Sequence, residues 1–276
     1  MKPTSVVDAH VHLWDPARAD WYPYLSPAEG AGMRRLFDVA TYRSEAARWN
    51  VKKFVNVAAA TGRNSVDETM ELDRSGGPDA IVGGLPPTDT VAEAIELIDR
   101  QMTAKRFRGV RPMGGFERPV PEREVLQALQ ERALVFELMA HADQLVGCAK
   151  KLAGFTDLPI VVEHTGWPRA NTEEERRVWQ QGIDALAAVG ANVVCKLSGL
   201  AMPFGTMSPD VLGPWLEYAI EAFGVDRSIF ASNFPVDSAV GTFDDLYETF
   251  STVTAGLDDE SRGKVFAGNA ERVYRI

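Results

Sequence analysis

Short apolar runs rich in β-branched residues alternate with helical patterns along the whole chain, and this alternation limits the possible folds more than any other feature. The eight apolar runs cover residues 6–13, 53–58, 80–85, 107–113, 134–139, 159–164, 191–197 and 228–232. The helical patterns between and after them cover residues 39–49, 66–74, 91–100, 122–132, 143–152, 173–189, 210–223 and 244–254. Strands that alternate with helices are typical of parallel βα units. Eight such units predict an α/β fold that closes into a (β/α)8 TIM barrel.

The length and composition fit one domain of this kind. The chain has 276 residues, of which 45% are hydrophobic, and single barrels of this size are common. We find no internal repeat, low-complexity tract or linker that would divide it, so residues 1–276 are predicted to form a single domain. No stretch approaches the ~18 continuous apolar residues of a membrane span, and the first residues lack an apolar signal core. These features predict a cytoplasmic protein.

Charge excludes several classes of partner. The formal net charge is -10, whereas nucleic acids and anionic membranes are bound by basic surfaces. The chain has two cysteines, Cys148 and Cys195, which form no CxxC pair and are expected to be buried thiols. The composition therefore argues against a nucleic-acid or membrane partner, and it leaves a homo-oligomer possible.

Two histidines close the first predicted strand, in the segment Asp8-Ala9-His10-Val11-His12. Because side chains of a strand alternate between its two faces, His10 and His12 are expected to point the same way. The chain has only four histidines, and packing does not readily explain two of them one strand-step apart. Neutral imidazole is a common ligand of zinc and similar cations. The pair predicts a site for a metal or a charged substrate; the alternative is a partly exposed strand end.

Polar residues stand at or just after the ends of the other predicted strands. They are Arg111, Glu137, His141, His164, Lys196, Ser198, Asn233 and Asp237. The longest irregular segments, at residues 15–36, 116–121, 202–209 and 234–242, also follow strands. In a (β/α)8 barrel the active site is built from the strand ends and the loops after them, so these residues are expected to converge. Each also has a structural interpretation: Arg111, Glu137 and Lys196 could pair within the barrel wall, and His141 could cap the next helix.

Several strings in this chain resemble one family. They are DAHVHLWDP, followed shortly by WYPYL, then RGVRPM, VVEHTGWP, VVCKLSGL, FASNFPVD and the closing GNAERVYRI. Together they resemble the amidohydrolase superfamily, in particular its branch of lactonases and related hydrolases acting on sugar lactones and pyrone dicarboxylates. The resemblance implies a distorted (β/α)8 barrel with His10, His12 and His164 at its centre. It also implies one divalent metal ion, with zinc the expected one, or none, because this branch is mixed in its use of metal.

The chain departs from the superfamily pattern at two places. Most members have an aspartate after strand eight that takes a proton from the attacking water, whereas this chain has Asn233 there. An amide is no general base at neutral pH, so Asp237 is the expected replacement, with Glu137 and Glu163 as weaker candidates. No lysine at the end of strand four could be carbamylated to bridge two metals, and Arg111 stands nearest. A binuclear centre is therefore not expected.

These residues predict a mechanism. His10, His12 and His164 would hold the metal or polarise a substrate carbonyl directly, and three protein ligands would leave a position open for water. Asp237 would orient or deprotonate that water. Arg111 and Lys196 would bind the carboxylate of a small acidic substrate, with Glu137 beside them. The aromatic residues Trp14 and Tyr24, together with Trp21 and Tyr22, would line the mouth or pack against the barrel rim.

The leading prediction is thus a hydrolase that opens a lactone or similar cyclic ester of a small carboxylated molecule. Two alternatives stay open. One is a decarboxylase or lactone isomerase on the same scaffold, which has less need of an aspartate at position 233. The other is a barrel that has lost catalysis and binds a carboxylated ligand; the presence of His10, His12 and His164 together argues against it.

Overall fold

The computed structural model describes residues 3–26 and 32–276, and within them eight parallel strands form one sheet in chain order. The strands are β1 (Val6–Val11), β2 (Val51–Val57), β3 (Ala80–Leu85), β4 (Phe107–Pro112), β5 (Val135–Leu138), β6 (Ile160–Val162), β7 (Val193–Leu197) and β8 (Ser228–Phe230). The segment after β8 pairs with β1, because the His12 amide donates to the Phe234 carbonyl at 2.8 Å. The ring is therefore closed, which confirms the predicted (β/α)8 barrel. Residues 27–31 of the predicted loop 15–36, and residues 1–2, lie outside the described residues.

Helices surround the sheet. They are α1 (Val39–Glu45), α2 (Asn64–Ser75), α3 (Val91–Gln101), α4 (Arg123–Glu131), α5 (Leu145–Leu152), α6 (Glu173–Ala187), α7 (Ala201–Phe204), α8 (Pro209–Phe223), α9 (Phe243–Val253), α10 (Asp259–Gly263) and α11 (Asn269–Tyr274). The eight predicted helices are all present, although α1 ends at Glu45 rather than at residue 49. The sequence patterns missed α7, α10 and α11. A π-helical turn, Lys264–Gly268, joins the last two.

The first turns of two helices show why they begin where they do. The Thr90 side chain accepts the Glu93 amide at the start of α3, and the Thr172 side chain accepts the Glu175 amide at the start of α6. Each bond satisfies a backbone donor that the helix leaves unpaired. The Glu175 carboxylate in turn accepts the Arg169 amide.

An apolar layer fills the lower part of the barrel. It is one buried cluster of strand and strand-end side chains, namely Val7, Ala9, Val55, Val57, Ala80, Val82, Val135, Val161, Val194, Ile229 and Ala231. Side chains from seven strands can meet in one cluster only inside the ring. Ala270, Val273 and Tyr274 of α11 join them, and the Asn269 amide donates to the carbonyl of Ser228, the first residue of β8. The C-terminal helix therefore closes the amino-terminal end of the barrel.

A polar layer follows at the other end. Side chains alternate along a strand, so the positions two residues beyond Val135, Val161 and Val194 also face the interior. Those positions hold Glu137, Glu163 and Lys196, and all three side chains are fully buried. Active sites of (β/α)8 barrels are built at the carboxyl ends of the strands, so this layer has the position of an active site.

The first strand breaks the alternation. The register of β1 against β2 shifts between Asp8 and Val11. Asp8 accepts hydrogen bonds from the Tyr42 hydroxyl at 2.9 Å and from the Ser232 amide at 2.8 Å, while His10 and His12 contact each other. Asp8 thus ties β1 to α1 and to the end of β8, and burial raises its pKa to about 6.

Cys148 and Cys195 are both buried free thiols, as predicted. Among the described residues, every helix is too short or too polar to cross a membrane.

Candidate active site

Three of the four histidines meet at the carboxyl end of the barrel. The Nε2 atoms of His10 and His12 lie 3.2 Å apart, and the ring centroids of His10 and His164 lie 4.5 Å apart. All three side chains are buried. The His12 Nδ1 lies 2.8 Å from the Val57 carbonyl oxygen, which fixes the orientation of that ring. The structure thus brings together the three imidazoles that the sequence singled out.

A left-handed turn carries His164 into this cluster. After β6 ends, His164, Thr165, Gly166 and Trp167 have φ angles of 52°, 55°, 71° and 39°. A residue with a side chain adopts such a conformation at a cost of about 1–3 kcal/mol, so a run of them persists only where the surroundings enforce it. The Trp179 indole donates to the Thr165 carbonyl, and the Thr165 hydroxyl donates to the Ser198 carbonyl. Strained backbone of this kind is concentrated at functional sites.

Glu163, which the sequence indicates only as a weaker candidate for the base, lies in this cluster. Its Oε2 lies 3.2 Å from the Arg111 Nη1, and its Oε1 lies 4.0 Å from the His10 Nδ1. The Oε1 atom is buried and has no hydrogen-bond partner among the described residues. Alternation along β6 gave the signal: Val161 faces the interior, so Glu163 does too, whereas His164 needs the left-handed turn to reach it.

Burial controls the charges in the cluster. It lowers the pKa of His12 and of His164 to about 3, and that of His10 well below its usual range, so all three are neutral at pH 7. Burial alone would raise the pKa of Glu163, but Arg111, His164, Lys196 and a hydrogen bond with Glu137 together outweigh it and lower that pKa to about 2. The site therefore holds three neutral imidazoles and one carboxylate.

A second ion pair stands beside the cluster. The Lys196 Nζ lies 2.5 Å from Glu137 Oε2 and 3.4 Å from His10 Nδ1. The Tyr274 hydroxyl of α11 donates to Glu137 Oε1 at 2.5 Å. Burial raises the pKa of Glu137 to about 7 although Lys196 opposes the rise. The predicted substrate-binding role of Glu137 and Lys196 stays a prediction, since the contacts observed are with each other, His10, Tyr274 and Glu163.

Asn233 and Asp237 stand together after β8. The Asn233 amide nitrogen of the side chain donates to Asp237 Oδ1 at 2.8 Å, and the Asn233 backbone amide donates to the His10 carbonyl at 2.9 Å. Asp237 is fully buried, and its Oδ2 has no partner among the described residues. Burial raises the pKa of Asp237 to about 7. Asn233 thus holds a carboxyl group that titrates near neutrality beside the end of β1.

Aromatic side chains flank the histidines on two sides. Trp14 lies parallel to His12 with ring centroids 6.1 Å apart, and Tyr24 meets Trp14 edge-on at 6.0 Å while its hydroxyl donates to the Ala59 carbonyl. On the other side Trp167 meets His164 edge-on at 4.6 Å. Trp21 and Tyr22 are buried next to Trp14 and Tyr24. The predicted aromatic residues therefore form one wall, with their role toward substrate still a prediction.

The fourth histidine lies apart from the cluster. His141 stacks on Phe116 with ring centroids 3.6 Å apart, and its Nδ1 lies 3.3 Å from the Trp167 carbonyl oxygen. Its backbone amide donates to Gln144 at the start of a short 3-10 turn, Ala142–Gln144. His141 therefore packs at the barrel rim rather than with the three central imidazoles.

The donor set fits a divalent cation. His10, Glu163 and His164 each offer a ligand atom within 4.8 Å of the others, and all three are buried. His12 stands next to this group through its contact with His10. Neutral imidazoles and a carboxylate with a free oxygen are ligands that zinc accepts. These residues can therefore hold one metal ion.

The chain is similar to known proteins over its whole length. The chain is 28% identical over 292 residues to the L-fucono-1,5-lactonase of Burkholderia ambifaria, which covers 99% of this chain and 96% of that protein. It is 28% identical over 302 residues to the uncharacterised protein y4mH of Sinorhizobium fredii, with both chains fully covered. A crystal structure of an amidohydrolase from Burkholderia multivorans with bound zinc superimposes with a TM-score of 0.85 at 23% identity, covering 99% of this chain and 100% of that one, and shows the shared fold.

The family itself follows from a longer match. The sequence profile described as amidohydrolase matches residues 7–276, which includes every strand except the first residue of β1 and every helix of the barrel. The resemblance inferred from the short strings is confirmed over nearly the whole chain. The chain belongs to the amidohydrolase family.

Proposed function

We propose that this protein is a hydrolase that opens the ring of a lactone, with a small carboxylated sugar acid lactone or pyrone as its substrate class. One observation carries the proposal. Three neutral imidazoles lie in contact at the carboxyl end of the barrel, where the buried Glu163 carboxylate beside them is paired with Arg111. The lactonase relative from Burkholderia ambifaria, which matches over 99% of the chain, supports a cyclic ester as the bond that is cleaved.

The reaction adds one water molecule and breaks one C–O bond. Asp237 takes a proton from the water, whose oxygen bonds to the lactone carbonyl carbon; the ring C–O bond then breaks, and the proton passes to the departing ring oxygen. A base with a pKa near the working pH is best suited to such a transfer, and burial places Asp237 there, at about 7. The Asn233 side chain holds the Asp237 carboxylate by its Oδ1, which leaves Oδ2 for the water.

Charge recognition is assigned to Arg111. Its side chain is 11% exposed, whereas Lys196 is fully enclosed and bound to Glu137. A guanidinium presents several donors in one plane, so it can bind Glu163 on one edge and a substrate carboxylate on another. Its Nε has no hydrogen-bond partner among the described residues. Trp14 and Tyr24 form the aromatic wall on the His12 side of the bound ring.

A metal ion would be held by His10, His12 and His164 with the Glu163 carboxylate beside them, and zinc is the first ion to test because the Burkholderia multivorans structure contains it. Such an ion would supply Lewis-acid polarisation of the carbonyl and would make a bound water more acidic. The residues of the chain have the same tasks in either case: the imidazoles face the reacting carbonyl, Arg111 orients the substrate and Asp237 moves the proton.

The experiment is a panel of sugar lactones, pyrone carboxylates and simple esters, with product mass as the readout and elemental analysis of the same preparation. We expect a product heavier than its lactone by one water. Asp237→Asn should lower kcat by roughly 100-fold or more, with a smaller change in KM, because a general base contributes about 10²–10⁴-fold. Full activity of Asp237→Asn would remove that residue from the reaction, and inactivity across the whole panel would reject the lactonase.

The same panel tests the other functions left open by Asn233. Release of carbon dioxide would identify a decarboxylase, and a product of unchanged mass would identify an isomerase. Stabilisation by a carboxylated ligand without turnover would identify a binding protein. The cytoplasmic location and the homo-oligomer stay predictions.

A further inference from the structure

Lys196 has no step in the proposed reaction, yet it touches the histidine cluster. Its Nζ lies 2.5 Å from the Glu137 carboxylate and 3.4 Å from the His10 Nδ1. A lysine ammonium has three donor hydrogens and no lone pair, so the imidazole nitrogen facing it has to be the acceptor. In a neutral imidazole the other nitrogen then carries the proton. The Lys196 contact therefore places the proton of His10 on Nε2.

The contacts of His12 lead to the same tautomer of His10. The Val57 carbonyl can only accept, so His12 donates through its Nδ1–H at 2.8 Å and keeps a lone pair on Nε2. That Nε2 lies 3.2 Å from the Nε2 of His10. Since His12 Nε2 accepts, His10 Nε2 has to donate. A directed chain of hydrogen bonds thus runs from Lys196 through His10 and His12 to Val57.

We propose that Lys196 is a positioning residue that holds His10 in the Nε2–H tautomer. In this way Lys196 weakens the binding of a cation that takes the Nε2 atoms of both His10 and His12 as ligands. A ligand nitrogen must offer a lone pair, but in this tautomer His10 Nε2 carries a hydrogen and His12 Nε2 accepts it. For such a cation to bind, the His10 proton has to move to Nδ1, where it faces the Lys196 ammonium.

Glu163 favours the other tautomer of His10, in which the proton is on Nδ1. Its Oε1 lies 4.0 Å from the same His10 Nδ1 and has no hydrogen-bond partner among the described residues. It is therefore the acceptor available to a proton on Nδ1, as carboxylates commonly are for histidine ligands of metals. Lys196 and Glu163 thus compete for one nitrogen, and the outcome decides whether His10 presents a hydrogen or a lone pair to the cluster.

The tautomer can be measured in the unaltered protein. With ¹⁵N-labelled histidine the metal-free chain gives signals from only four imidazoles, and the His10 set is the one lost in His10→Gln. Two-bond proton–nitrogen correlations show which ring nitrogen carries the hydrogen. We expect the Nε2–H form for His10 and the Nδ1–H form for His12. A His10 ring in the Nδ1–H form would overturn the proposal, and no substitution of Lys196 is needed for this result.

Zinc affinity tests the consequence. We expect Lys196→Met to bind zinc about 10- to 100-fold more tightly than the wild type in competition with a chromophoric chelator, the range typical of residues that orient a ligand. The double variant Lys196→Met with Glu137→Gln avoids leaving a buried carboxylate alone and should show the same gain. Lys53→Met, which removes a partly exposed lysine paired with Glu271, should leave the affinity unchanged. An affinity within threefold of the wild type in both Lys196 variants would overturn the proposal.

Neither measurement uses substrate. A result that contradicts the role of Lys196 can therefore be distinguished from one that contradicts the proposed lactonase function. The inference rests on the proposed function only in that the same cluster is assigned to the reaction. A protein that opens lactones with His10 in the Nδ1–H form would keep its function and lose this role for Lys196.

Discussion

Gly199 lies so close to His164 that a methyl group on its Cα would fall 2.5 Å from both Cγ and Nδ1 of the imidazole. The backbone of Gly199 also has a φ of +69°, which residues with a side chain rarely adopt. The position of His164 therefore depends on the absence of a side chain one strand away.

Gly199→Ala is expected to displace the His164 ring and to lower kcat/KM by roughly 100-fold, because a small misplacement of a reacting group has an effect of this size. Gly205→Ala is the matched control: its φ is +66°, and a methyl group there would meet nothing within 4 Å. Both variants carry the same backbone strain, about 1 kcal/mol or more in the free energy of unfolding. Kinetics and thermal unfolding of the pair check this, and equal activity in both would contradict it.

Arg111 is expected to distinguish charged substrates from neutral ones. Arg111→Gln should raise KM for a carboxylated lactone by about 10- to 100-fold, since the loss of a charge-assisted hydrogen bond to a buried group is worth roughly 1.5–3 kcal/mol. KM for an uncharged lactone should change much less. Arg111→Lys keeps the charge and should recover part of the loss. If both substrates lose equally, Arg111 acts only through its ion pair with Glu163.

Asp237 is expected to make stability depend on pH. Its pKa is about 7 in the folded chain, against 3.8 as the ordinary value, so between these pH values the folded state keeps a proton that the unfolded state releases. The contribution of Asp237 to stability therefore falls as pH rises from about 4 to 7. Asp237→Asn removes this loss, and its stability relative to the wild type should increase over that range by up to about 4 kcal/mol.

Urea unfolding at pH 4 and at pH 8 measures this difference. Burial also raises the pKa values of Asp8, Glu137 and Glu68 of α2, but their effects cancel because both proteins contain them. The asparagine side chain still offers an oxygen to the Asn233 amide, so the comparison isolates the charge. A stability difference that does not change with pH would show that Asp237 titrates normally.

Two buried tyrosines offer a paired test of the ion pair beneath the cluster. Tyr274 donates its hydroxyl hydrogen to Glu137, whereas the Tyr247 hydroxyl has no partner among the described residues. Tyr274→Phe should lower the free energy of unfolding by about 1–3 kcal/mol, because it takes a donor from a buried carboxyl oxygen. Tyr247→Phe should be neutral or stabilising. Chemical denaturation measures both, and the reverse order of stability would refute the assigned bond.

Most of the fold and of the site is predicted by the apolar runs and by the alternation of side chains between the two faces of each strand. β3 has the same bounds as the predicted apolar run 80–85, and the polar residues at strand ends meet in one layer because parallel strands bring their carboxyl ends together. The match to the amidohydrolase profile confirms the family that the short strings suggested. The barrel and the histidine cluster were therefore accessible from the order of residues alone.

What the sequence missed has physical causes. The sequence pattern places His164 at a strand end, but His164 reaches the cluster through a left-handed turn. The pattern therefore indicates Glu163 only weakly, although Glu163 faces the interior. The register shift in β1 gives Asp8 partners on α1 and after β8, which local periodicity cannot foresee. Helix α11 was missed because its six residues are too short for a periodic pattern, yet it brings Tyr274 to Glu137.

The most direct test of the central claim compares two histidines. His164 lies in the buried cluster, whereas His141 stacks on Phe116 at the rim. With the best lactone of the panel, His164→Asn should lower kcat/KM by at least about 100-fold, as the loss of a group that stabilises the transition state does, while the fold survives. His141→Asn should keep activity within a few-fold of the wild type. Wild-type turnover by a folded His164→Asn protein would contradict the assignment of the reaction to this cluster.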